Sequence, residues 1–203
     1  MTAITFSVLF LSTLVSAIWL QRSSKGLAEQ PRATVQAAAL SCLFIALAAL
    51  TETLFSQSTN DMQTLHRMLG NLAYYAALPM LVSALLVSAL QQHWSRPAWG
   101  RWLIGLFALF ELLRRMEQGE LYTQTIAVLA CATMLFAAVK IRQPLLRGIG
   151  VIATINMSLA LLLFGPGTLV AELSNPSAYA VLLASAVPIT AHVIRLNIQQ
   201  PEH

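Results

Sequence analysis

Residues 102–122, WLIGLFALFELLRRMEQGELY, begin as a membrane-spanning helix and run out of apolar residues halfway across. The uninterrupted apolar run, residues 103–110, covers about 12 Å at 1.5 Å per residue, against a hydrocarbon core of about 30 Å. Glu111, Arg114 and Arg115 then either sit at membrane depth or mark a helix that stops short. The flanking segments are long enough to span, and the alternation of sides works only if this one crosses too, which favours membrane depth. An ionisable residue in hydrocarbon costs at least about 2.5–3.5 kcal/mol on insertion scales, so such residues normally face the protein interior and have a partner. The charged end of this stretch is therefore the first place to look for a site.

Composition agrees with a membrane class. Of 203 residues, 57% are hydrophobic and only 10% charged, against about 25% charged in soluble domains. No link is long enough for a soluble domain, so residues 1–203 read as a single transmembrane helical bundle. Cys42 and Cys131 fall inside apolar runs and read as small buried side chains rather than a disulfide framework. The net charge of +4 comes from basic residues scattered singly or in pairs between apolar segments. That is how loop charges orient a membrane protein, and it leaves no footprint for nucleic acid.

Working outward from the quoted stretch, seven apolar segments predict an all-α bundle of seven transmembrane helices. They cover residues 3–20, 33–55, 66–90, 97 to the charged end just described, 121–139, 144–164 and 177–196. The first has no Lys or Arg before its apolar run and suits a span better than a signal core. In the third, Arg67, Asn71, Tyr74 and Tyr75 stand at i, i+4, i+7 and i+8, which puts a polar stripe on one helical face. Gly148 and Gly150 in the sixth are expected to permit close helix packing. Gly165-Pro166-Gly167 marks a turn, and Pro188 is expected to kink the last helix.

Placing the N-terminus outside puts Arg22, Lys25, Arg32, Arg96, Arg101, Lys140, Arg142, Arg147 and Arg195 inside, and leaves Arg67, Arg114 and Arg115 outside. Nine against three is a positive-inside bias, so the expected orientation is N-terminus out and C-terminus in, in a plasma (inner) membrane. Glu52, Asp61, Glu111, Glu117, Glu120 and Glu172 then lie at or toward the outer face.

These assignments gather candidate ligand-binding residues in the outer half: Glu52, His66, Arg67, Asn71, Glu111, Arg114, Arg115 and Asn156. On one reading they form an outward-facing polar pocket for a small polar ligand, an ion or a lipid headgroup, transporter-like or receptor-like. On the other, Glu111 bridges to Arg115 four residues on, the remaining charges reach up to the headgroups, and nothing binds. A membrane-embedded lipid-acting or metal-dependent hydrolase using Glu52, Asp61 and His66 is a second class of function. A third is a non-catalytic subunit or assembly factor whose charged helix docks on a membrane-protein partner or a second copy.

No cofactor is implied. Phosphate-loop and dinucleotide glycine patterns are absent. His66 and His192 lie about 20 Å apart in depth, and His192 has no ligand-type residue four positions away, so no metal site is assigned. Seven helices with acidic, histidine and serine residues resemble the ceramidase-like membrane hydrolases in outline. That family, however, carries a histidine pair in its last helix, where only His192 stands here. The Gly-x-Ser nucleophile turn of intramembrane serine proteases does not occur. The expected partners are the lipid bilayer and a membrane protein or second copy of the chain.

Overall fold

Apolar residues that recur on every face of a segment, with few charges, make helices whose outer surface meets lipid and whose backbone donors and acceptors are satisfied within the segment. The computed structural model describes residues 2–54, 60–92, 94–115 and 119–199, without the side chains of Asn60 and Arg114. Among these residues every regular element is helical. The order is α1 (Thr2–Ser23), α2 (Glu29–Leu54), α3 (Asn60–Leu72), α4 (Leu78–Ala89), α5 (Arg96–Arg115), α6 (Gly119–Lys140), α7 (Pro144–Leu159) and α8 (Pro176–Ile198). A π turn, Ala73–Ala77, joins α3 to α4 without a break, and a second, Ala160–Phe164, extends α7. The described chain thus forms seven rods.

Six rods are long and apolar enough to cross a membrane: Thr2–Gly26, Glu29–Leu54, Asp61–Ala89, Gly119–Lys140, Pro144–Phe164 and Pro176–Ile198. The rod that is not among them is α5, the stretch with the charged end. It nevertheless touches α4 and the π turn before it at two points. Trp102 Nε1 donates to Ser83 Oγ at 3.2 Å, and the Phe110 ring stacks on Tyr75 with centroids 4.3 Å apart. Eight residues forward on α5 thus correspond to eight residues back on its neighbour, which is an antiparallel register. The contact is thin: Trp99 and Leu106 are its buried apolar residues, while Ile104, Phe107, Leu109 and Leu112 are exposed.

Polar residues inside the apolar rods are accommodated locally. Thr13, Ser16, Ser41, Thr154 and Thr190 each bond a carbonyl four residues back, so their hydroxyls need no partner in lipid. Alanine fills the centre: Ala38, Ala76, Ala127, Ala153, Ala160 and Ala186 are fully buried. Small residues let rods approach where lipid supplies no hydrophobic drive for association. Gly150 fits the expected role, since a Cβ there would lie 3.3 Å from Ile141 Cδ1 and 3.5 Å from Ala138 Cβ. Gly148 does not, having nothing within 4 Å. Asn175 caps α8 by accepting from Ser177 N and Ala178 N, with Pro176 in the first turn. The helix continues through Pro188.

The two ends of the bundle differ. At one, which we call the C-end, Arg195 Nη2 donates to Ser23 O at 3.0 Å, Asn197 Nδ2 donates to Ser88 O at 2.7 Å, and His192 stacks on Trp19. These contacts tie α1, α4 and α8 together and make α1 and α8 parallel. The opposite end, the N-end, holds the start of α1, the end of α2, the start of α3 and the link over residues 165–175.

Candidate functional site

The last turn of α2 and the middle of α3 bring Glu52 against His66, with Oε1 and Nε2 3.2 Å apart. Nε2 is the donor in this contact. Nδ1 is enclosed and has no hydrogen-bond partner among the described residues. Arg67 follows directly, exposed, with Nε donating to Gln63 O at a long 3.4 Å. It has no carboxylate partner among the described residues.

These residues form the mouth of a cavity of about 390 Å3 at the N-end. Glu52, His66, Arg67 and Asn71 give it polar walls, and Phe6, Leu9, Ile45, Leu78, Phe164 and Leu183 make its interior apolar. Six pieces of the fold therefore enclose it: α1, α2, the α3–α4 rod, the π turn ending at Phe164, the link that follows it, and α8. Both π turns border this space, contributing Ala73, Tyr74 and Tyr75 from one and Phe164 from the other. Such single-turn insertions in α-helices occur frequently at functional sites because they re-aim side chains that regular periodicity would place elsewhere.

The two tyrosines are fixed from behind. Tyr74 donates to Thr123 O at 3.1 Å. Thr123 Oγ1 gives its proton to Gly119 O at 2.7 Å, so in its contact with Tyr75 the tyrosine hydroxyl is the donor. The Tyr75 ring is packed between Phe110 of α5 and Tyr122 of α6, parallel to the latter within 7°. The wall of the cavity is thus bolted to α5 and α6, although neither helix lines it.

Gly165-Pro166-Gly167 is a turn, as expected, and also part of the enclosure, since Gly165 and Pro166 line the cavity. The glycines are needed for space rather than for a left-handed backbone, no glycine having positive φ among the described residues. A Cβ on Gly165 would lie 2.9 Å from the Tyr179 ring and 2.8 Å from Ala160 O. One on Gly167 would overlap the Tyr74 hydroxyl and lie 2.9 Å from Thr123 O.

The eight candidate residues thus fall into separate places. Glu52, His66, Arg67 and Asn71 come together at the cavity. Glu111 and Arg115 pair with each other along α5 at 3.4 Å, their side chains 42% and 76% exposed, and neither lines the cavity. The side chain of Arg114 lies outside the described residues. Asn156 is a helix–helix fastener: its Nδ2 donates to Ser185 Oγ at 3.1 Å, joining α7 to α8.

Sequence reasoning missed Tyr179, Ser174, the apolar face of α1 and the glycine turn as cavity residues. The interior apolar ones carry no signal distinguishing them from lipid-facing neighbours. Among the described residues no group of three His, Cys, Asp or Glu is placed to hold a metal ion, so Asp61 does not complete a set with Glu52 and His66. No family model, no curated protein and no solved structure matches this chain.

Proposed function

We propose that this is a multi-pass membrane protein that binds a small ligand in the N-end cavity, with its N-terminus and the cavity mouth on the outer side of the plasma membrane. The observation that carries the reading is the convergence of Glu52, His66, Arg67 and Asn71 at the mouth of one apolar cavity. Convergent polar groups on an apolar concavity are the usual composition of a small-molecule site, and about 390 Å3 falls within the roughly 300–1,000 Å3 typical of such sites. The orientation rests on the basic residues: Arg22, Lys25, Arg96, Lys140 and Arg195 stand at rod ends remote from the cavity, which favours that side for the cytoplasm. Under this reading α5 is the seventh span, with Glu111 and Arg115 near the outer headgroups.

A receptor-like or transporter-like role fits better than hydrolysis. The Glu52–His66 pair resembles half of a catalytic relay, but among the described residues the remaining ring nitrogen touches no nucleophile. Ligand-dependent stabilisation of the purified full chain tests the proposal. A true ligand at 100 times its Kd adds about 2.7 kcal/mol of stability, and that increment should shrink in a Glu52→Gln, Arg67→Gln double variant. An equal increment in wild type and double variant places binding elsewhere and refutes the assignment.

A second reading is favoured by the thin packing of α5. Its exposed outer face and its exposed Glu111–Arg115 pair suit a subunit that docks on a partner helix. A stoichiometric partner that co-purifies with wild type and is lost on Arg115→Ala selects this reading.

A further inference from the structure

We infer that the ligand of the N-end cavity is an anionic amphiphile with a single apolar chain, its acid group held by Arg67 and its chain inserted toward Leu9, Ile45, Leu78 and Leu183. The inference rests on the reading of this cavity as a binding site and adds the ligand's chemical class.

Charge decides the head. Of the three acidic or basic side chains lining the cavity, Glu52 and His66 already engage each other at 3.2 Å. Arg67 is differently placed. Its one described contact is the long bond to a carbonyl of its own helix, and no described carboxylate compensates it. A guanidinium offers five donors in a rigid fork that matches a carboxylate or phosphate, so most of its capacity is unspent. Asn71 stands one helical turn further along the same face and lines the same cavity, adding an amide donor beside the fork. A cationic head would meet Arg67 unopposed while finding Glu52 occupied.

Shape and lining decide the rest. Past the mouth, no charged side chain lines the cavity, so a ligand with a second charged end would leave it unpaired in an apolar surround. The volume of about 390 Å3 is near the lower end for small-molecule sites, which suits one chain rather than two. The acid group is a carboxylate or a phosphate monoester; both present the same oxygens to the fork. Tyr179 and the glycine turn close over the chain, and Tyr74 and Tyr75, anchored by Thr123, keep the wall rigid.

The test uses the full chain in nanodiscs of zwitterionic lipid, with empty nanodiscs as the blank. Radiolabelled decanoate, decyl phosphate, decanol and decyltrimethylammonium are compared by equilibrium dialysis. The expected result is saturable binding of decanoate or decyl phosphate at one per chain, at least tenfold tighter than decanol and than the ammonium probe. The tighter of the two anions identifies the head. Arg67→Gln should weaken the anion tenfold or more and leave decanol unchanged, and Arg67→Lys should recover part of the loss. Arg67 is exposed, so these variants are not expected to disturb folding. Decanol binding as tightly as decanoate, or the ammonium probe binding best, overturns the anion assignment while the binding site stands. No saturable binding of any probe above the blank overturns the assignment and counts against the site itself.

Discussion

Gly167 is the residue whose replacement should be felt most sharply for its size. It is buried, and a methyl group there would overlap the Tyr74 hydroxyl where that hydroxyl donates to Thr123 O. Either the turn or the tyrosine must move, and overpacking of this kind costs about 1–3 kcal/mol. Gly167→Ala should therefore lower the melting temperature clearly. Gly148→Ala, with nothing within 4 Å, should leave it unchanged or slightly raised, since alanine is the better helix former. Equal effects of the two substitutions would mean that the glycine turn does not press on Tyr74. Glu52→Gln should behave differently. Its partner contact is partly exposed at 41% and 30%, and glutamine keeps an acceptor for His66 Nε2. The stability loss in chemical denaturation should stay below about 1 kcal/mol. A loss of several kcal/mol would reveal a pair cut off from solvent.

Among the elements, α5 is the one whose reading changed most between sequence and structure. Its short apolar run and charged end were legible, as was the bridge from Glu111 to Arg115, because spacing of four on a helix decides such contacts. What the run could not tell is which neighbour supports the helix. That depends on Trp102 meeting Ser83 and Phe110 meeting Tyr75, pairings set by packing across the fold. The antiparallel register makes a direct prediction. Ser83→Cys with Trp102→Cys should be joined by a short bifunctional thiol reagent. Ser83→Cys with Glu111→Cys should not, because nine further residues carry the second site about 13 Å along the axis. Crosslinking of the second pair in preference to the first would break the register. The π turns were illegible for a related reason: Ala73–Ala77 and Ala160–Phe164 carry no residue pattern that separates them from any apolar helix.

At the scale of the whole molecule, the distribution of charge and the position of the cavity belong together. Hydropathy alone exposed all seven rods, because long apolar stretches can satisfy their backbones in lipid only as helices, but it started the third at residue 66 where α3 begins at Asn60, the polar residues 60–65 being helical too. The polar stripe Arg67, Asn71, Tyr74 and Tyr75 was equally legible, being periodic within one rod, and all four line the cavity. The meeting of that stripe with Glu52 is a contact between rods, as is the assignment of Asn156 to the α7–α8 seam. Neither has a signature in the order of residues. The same limit applies to Glu111, which the sequence placed among the site residues and the structure places on α5, paired with Arg115 and away from the cavity.

The central claim is that the cavity is open and faces outward, and it can be tested with one cysteine. Asn71 is exposed and lines the cavity, whereas the native Cys42 and Cys131 are buried, so wild type supplies an unreactive background. The account predicts that Asn71→Cys in intact cells reacts with a membrane-impermeant maleimide added from outside. Modification only when the reagent reaches the cytoplasmic side, or none until the protein is unfolded, would contradict it.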